Sequence, residues 1–295
     1  MTGAALSAYA PRHRLLEAPL ARRIRDIAEA AVDALLLELE TSPKPGLVSH
    51  VDSGSHDDMD AGTFRRSVAA LAPFLEALAG AGAQGAEMGR LRVIGLEAEE
   101  AMLAATGGVN THRGAIFGLG LLCAAAGARA AGRADRDLPL GLAVSLLWGS
   151  DILNGPILLR SHGTAVRRRY GAGGARLEAT QGFPSVYDIA LPALHPARTH
   201  RPADEEAARV EACFALIASV EDTNLLHRGG LPGLAFAQRS ARSFLRGGGT
   251  RQADWRLRAL AVHDAFVARR LSPGGSADLL AMALFVDALE GPPRP

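Results

Sequence analysis

Apolar residues recur every three or four positions along most of this 295-residue chain. In ARRIRDIAEAAVDALLLELE, residues 21–40, Ile24, Ile27, Ala31, Leu35 and Leu39 fall on one face, the spacing of an amphipathic helix. The same period predicts helices over residues 64–79, 87–105, 112–130, 139–153, 155–169, 204–220, 232–246, 252–270 and 276–290. Alternating runs rich in Val, Ile, Thr and Tyr are almost absent, which argues against a substantial sheet. The expectation is an all-α fold: one compact multi-helix domain over residues 19–295, with its functional loops at one side. Residues 1–18 lack the period and are broken by proline, so they read as a poorly ordered tail. Polar residues gather in the connections, at 38–60, 106–114, 171–188, 221–233 and 271–278. Helices then serve as scaffold and the loops carry the chemistry.

Composition narrows the class. Apolar residues make up 48% of the chain, which rules out a disordered polymer and allows a sizeable core. Lys plus Arg is 32 against 31 acids, and no basic run is long enough to suggest a nucleic-acid surface. Cys123 and Cys213 sit inside apolar helical patterns and read as buried thiols. The N-terminus has no apolar stretch after a basic start, so a secretory signal is not expected. The most apolar run, GAIFGLGLLCAAAGA, is too short to span a bilayer. A cytoplasmic location is the expectation.

The polar connections hold the candidate chemistry. Lys44 is the only lysine in the chain and stands between Pro43 and Pro45, which end the first helix and stiffen the backbone around it. A stiffly mounted ammonium suits a phosphate. Glu38 and Glu40 lie in the last helical turn, where the dipole disfavours carboxylates and a cation would compensate. HVDSGSHDDMD, residues 50–60, crowds His50, Asp52, His56, Asp57, Asp58 and Asp60 into one loop. Hard oxygen ligands at that density favour Mg²⁺, and neither a zinc-protease motif nor a cysteine pair points to zinc. TGGVNTHRGAIFGLG offers Asn110 or Thr111 as a helix cap, with His112 and Arg113 in the first turn. Cations there make sense if an anion sits at the helix start. VEDTNLLHRGGLPGL repeats the pattern with Asn224, His227 and Arg228, and adds Glu221 and Asp222. LSPGGSADLL brings Gly274, Gly275, Ser276 and Asp278 to another helix start but is not a P-loop. Arg176 and Glu178 follow a glycine turn, where an ion pair is the plain reading.

Taken in order, SPKPGLV, SGSHDDMD, GVNTHRGAIFGLGLLCAA, YGAGGARLEATQGFP, EDTNLLHRGG and LSPGGSADLLAMALF resemble the triphosphoribosyl-dephospho-coenzyme A synthases, across residues 30–290. The resemblance implies an all-α enzyme that joins ATP to 3′-dephospho-CoA, expels adenine and yields 2′-(5″-triphosphoribosyl)-3′-dephospho-CoA. It also implies that an acyl-carrier-protein transferase uses that product to equip malonate decarboxylase or citrate lyase, and the general likeness leans to malonate decarboxylase. Such chemistry needs Mg²⁺ with ATP, cations for an intact triphosphate, and acid–base groups at an oxocarbenium-like transition state. On that footing Lys44, Asn110, Arg113, Arg176, Arg228, Gly274, Gly275 and Ser276 are expected to bind phosphate, and Asp52, Asp57 and Asp60 to hold Mg²⁺. Glu38 or Asp222 would be the base, and His112 or His227 the acid. His56, Glu178, Asn224 and Asp278 complete the candidates. A metal-dependent nucleotide hydrolase and a noncatalytic nucleotide-binding accessory protein are the rival readings, and the helices leave room for a homodimer.

Overall fold

The computed structural model describes residues 18–156 and 173–291, and every regular element among them is helical. In chain order these are α1 (Ala18–Leu39), α2 (Ala61–Ala83), α3 (Met88–Ala105), α4 (Arg113–Ala130), α5 (Leu140–Asn154) and α6 (Gly174–Thr180). A π-helical turn, Ser185–Ala190, runs into α7 (Leu191–His200), followed by α8 (Glu205–Ser219) and α9 (Thr223–Arg246). A 3₁₀ turn, Gly249–Arg251, then leads to α10 (Trp255–Val267) and α11 (Gly274–Glu290).

Two helices are buried nearly all round, the signature of a helix at the centre of its neighbours. One is α4, whose residues from Leu119 to Ala128 are all buried. It packs against α1, α2, α3, α5 and α11. The other is α11, buried from Leu279 to Asp287, which also touches α1, α8 and α9. Between α2 and α4 the backbones meet. A Cβ on Gly82 would lie 1.8 Å from the Ala124 carbonyl oxygen, and one on Gly127 would lie 1.9 Å from that of Ala79.

The expected periodic helices are present, with three differences. Residues 171–188 were expected as a loop and 189–203 had no element, yet α6, the π turn and α7 fill the described part of this span. Pro184, Pro192 and Pro196 look like breakers in sequence, but Pro192 stands at the start of α7, directly after the π turn, and Pro196 lies inside α7. Helix α9 begins at Thr223, well before residue 232, and breaks at Gly230, whose φ of 60° is left-handed. Third, the helix expected at 155–169 falls mostly outside the described residues, as does the tail expected at 1–18 except for its last residue. No helix among the described residues is long and apolar enough to cross a membrane. Cys123 and Cys213 are free and buried, and burial pushes the Cys213 thiol up to about 12.

Candidate active site

The connections after α1, before α4, before α9 and before α11 converge on one cleft of about 1360 Å³. At its floor, Glu38 in the last turn of α1 forms an ion pair with Lys44. The Lys44 ammonium also donates to the Glu38 carbonyl oxygen at 2.6 Å, and the residue is only 1% exposed. This corrects the expected role of Lys44: the ammonium is turned inward onto a carboxylate and is not among the cleft-lining groups, so it does not present a charge to phosphate. His263 of α10 donates from Nδ1 to the Lys44 carbonyl at 2.8 Å and pins the turn. Glu38 does line the cleft. Its Oε1 faces Lys44, leaving Oε2 for a ligand. Burial raises the Glu38 carboxyl above the usual range, against the opposing pull of Lys44.

Two aspartates organise the helix starts around this floor. Asp222 is the N-cap of α9, with Oδ1 accepting from the backbone N–H of Asn224 (2.9 Å) and Leu225 (3.3 Å). Its Oδ2 accepts from the N–H (2.7 Å) and the hydroxyl (3.0 Å) of Ser276 in the first turn of α11. One carboxylate therefore satisfies donors at two helix starts. Asp278 of α11 accepts from the Ala115 N–H of α4 and tucks against Gly114 so closely that a Cβ there would lie 2.0 Å from Oδ2. Burial, with the charges of Glu38 and Asp222 nearby, pushes the Asp278 carboxyl well above the usual range. These contacts revise the expected phosphate cradle at Gly274, Gly275 and Ser276. Ser276 donates to Asp222, and Gly274 and Gly275 pack close to Asn224 and Asp222 respectively. The expected base Asp222 is likewise committed on both oxygens to backbone and hydroxyl donors.

His112 directly precedes α4 and is buried. Burial, aided by the Lys44 charge, lowers its imidazole to about 3, so near neutral pH the ring is uncharged. That removes it as a cationic acid. Its Nδ1 lies 2.7 Å from the Ser67 hydroxyl of α2, and Nε2 is buried with no hydrogen-bond partner. Asn110 Oδ1 accepts from the Arg113 N–H at 3.1 Å and satisfies one donor at the start of α4, although the N-cap position is His112 rather than the expected Asn110 or Thr111.

The basic side chains stand at the rim. Arg113 forks onto Glu99 of α3. Arg228 donates to the carbonyls of Ser55 and Arg270, both at 3.2 Å, and touches His56 Nδ1 at 3.1 Å. His56 Nε2 meets the Ser272 hydroxyl at 2.9 Å, and burial with the Arg228 charge holds this imidazole below its usual range. His227 and Asn224 also line the cleft. The second H-R-G motif is not a helix entrance as expected: His227, Arg228 and Gly229 end the first segment of α9, immediately before its break at Gly230. Arg176 and Glu178 line the cleft without pairing to each other. Arg176 donates to the carbonyls of Ile152 (3.0 Å) and Gly155 (2.8 Å) at the end of α5, and Glu178 accepts from the N–H (2.7 Å) and hydroxyl (3.0 Å) of Ser185.

The expected magnesium ligands do not come together. Asp60 is the N-cap of α2, in a capping box with Thr63. Asp52 accepts from the Gly54 N–H at 2.7 Å and lies 3.3 Å from His263 Nε2. Asp57 is exposed, 3.8 Å from Arg270. Among the described residues no three His, Cys, Asp or Glu side chains gather as a metal site. Sequence reasoning missed Ser67, which looks like any serine within a helix and is marked by its contacts with Thr111 and His112.

Comparison with known proteins fits this layout of motifs. The family model described as ATP:dephospho-CoA triphosphoribosyl transferase matches residues 24–147 and 156–294. A protein of Pseudomonas savastanoi pv. phaseolicola named probable 2-(5″-triphosphoribosyl)-3′-dephosphocoenzyme-A synthase is 42% identical, over 92% of this chain and 93% of its own length. Relatives of the same name from Azotobacter vinelandii and Pectobacterium carotovorum are 43% and 41% identical, over 92% and 87% of each chain. No solved structure matches the chain.

Proposed function

The chain belongs to the ATP:dephospho-CoA triphosphoribosyl transferase family, and from that premise we propose how its cleft performs the transfer. The 2′-hydroxyl oxygen of 3′-dephospho-CoA bonds to C1′ of ATP as the bond from C1′ to the adenine nitrogen breaks. The hydroxyl proton leaves to a base, adenine departs with the electron pair and is protonated, and the triphosphate stays intact on the product.

The observation that carries this reading is a single cleft lined at once by Glu38, Asn110, Arg113, Arg176, Asn224, His227, Arg228 and Asp278. At about 1360 Å³ it exceeds the roughly 300–1,000 Å³ of ordinary small-molecule sites, as two nucleotide-sized substrates require. Glu38 is the base. Its raised affinity for a proton, with Lys44 behind it to hold the charge, suits removal of a proton near neutral pH. Arg228, His227 and Arg113 at the rim receive the phosphates. Asp278, a carboxyl held toward its protonated form, supplies the proton to departing adenine. Magnesium arrives bound to the triphosphate. The described side chains do not form a site fit to hold it alone, so no step is assigned to it. The product passes to an acyl-carrier-protein transferase of malonate decarboxylase, and the reaction takes place in the cytoplasm.

The test is incubation of the protein with ATP, Mg²⁺ and dephospho-CoA, with adenine and the coupled product followed by mass spectrometry. Product and adenine in equal amounts are expected, and both should fall by about 10²-fold or more in Glu38→Gln. Free ribose triphosphate would mark a hydrolase, and bound ATP without adenine release a noncatalytic partner.

A further inference from the structure

The orphaned nitrogen of His112 is the one buried side-chain polar atom among the described residues without a partner. Such atoms are expensive to leave unpaired unless something fills the position. The neighbouring hydroxyls define what is missing. Thr111 Oγ1 donates to Ser67 Oγ at 2.8 Å, so the Ser67 proton is free to go to His112 Nδ1 at 2.7 Å. In this network Nδ1 is the acceptor offered to that proton. In the uncharged ring the proton then sits on Nε2, which becomes a buried N–H with nothing to donate to.

Apolar groups flank the ring that carries that N–H. Phe64 meets the His112 ring edge-on at 4.9 Å between centroids, the Met102 sulfur accepts the His112 backbone N–H at 3.3 Å, and Leu103 and Ile116 line the same cleft as His112. A phosphate or ribose would be poorly placed against this wall. A flat heteroaromatic base with a ring-nitrogen acceptor matches it. Resting on the reaction proposed above, we infer that His112, with Phe64, Leu103 and Ile116, forms the seat of the departing purine. Its Nε2–H donates to N3 or N7 of the purine, the ring nitrogens nearest the breaking bond, and Ser67 and Thr111 are positioning residues that fix the tautomer. When the bond to C1′ breaks, the electron pair spreads over the ring nitrogens of adenine. A donor already aimed at one of them holds the base more tightly at that moment, without surrendering its own proton.

Adenine itself is the probe. Calorimetric titration of the wild-type protein with adenine, 3-deazaadenine and 7-deazaadenine should show one of the deaza bases binding roughly tenfold more weakly than adenine. His112→Phe, which keeps the ring shape but has no donor, should bind adenine about tenfold more weakly and no longer distinguish it from that deaza base. Ser67→Ala should show the same loss in milder form, and Ser67→Thr, which retains the hydroxyl, should restore binding. A merely structural serine would not alter discrimination between adenine and its deaza analogue. Equal binding of all three bases by the wild type overturns the assignment, as does undiminished adenine affinity in both folded His112→Phe and Ser67→Ala. Adenine binding as described, without adenine release from ATP and dephospho-CoA, leaves the seat in place and sinks the proposed reaction instead.

Discussion

Burying the Lys44 ammonium beside the Glu38 carboxylate takes two charges out of water, and each tolerates the interior because of the other. Lys44→Met leaves the carboxylate alone and should cost about 3–5 kcal/mol in denaturant unfolding. The double change Lys44→Met with Glu38→Gln removes both charges and should recover most of that loss, while adenine release stays as low as in Glu38→Gln alone. Stability without recovery would mean the pair is not the dominant contact. Asp278 has the opposite character. Its folded-state carboxyl holds a proton more tightly than the unfolded one, so native protein binds the extra proton and stability falls as pH rises above about 4. D278N should therefore melt at a higher temperature than wild type at pH 8, with the gap closing toward pH 4. A lower melting temperature at pH 8 would contradict the assignment. For His112 the folded value lies below the unfolded one, so the unfolded chain takes up the proton and stability is lost as pH falls from about 6.5 toward about 3. His112→Phe should flatten that part of the stability curve.

At the scale of elements, the contact of α2 with α4 depends on two glycines whose missing side chains let the backbones touch. Gly127→Val places methyl groups where the Ala79 carbonyl stands, and should destabilise by about 1–3 kcal/mol or more, read as a shift of the denaturant midpoint with unchanged slope. Helix–helix contact of this kind is not visible in a periodic pattern, which records only that a face is apolar. The pattern was sufficient for α1 to α5, α8, α10 and α11. It failed at α6, the π turn and α7, where prolines and glycines gave the local signal of a loop while burial of Phe183, Val186 and Leu194 against the core held the chain helical. The same limit explains the site. Glu38, His112, Asp222 and Asp278 were legible as residue types near helix ends. Their partners were not, because Ser276 lies 54 residues from Asp222 and Ser67 lies 45 from His112.

Across the whole molecule, the loop between α1 and α2 is fastened to the connection between α10 and α11. Ser55 donates to the Leu271 carbonyl at 2.6 Å, and His56 and Arg228 extend the seam. This seam closes one side of the cleft and joins segments 216 residues apart in sequence. Arg228→Ala should loosen it, seen as faster amide hydrogen exchange for residues 46–56 with little change in α4. Unaltered exchange there would show that the arginine serves ligands alone.

The solitary lysine has a practical consequence. Acylating and reductively methylating reagents find no lysine amine on the outside of this protein, since Lys44 is shielded in the native state. Any modification of that side chain reports a molecule that has opened around its floor. The rate at which that side chain gains mass in a reagent pulse therefore clocks the opening of the cleft floor, and bound ligands should slow that clock.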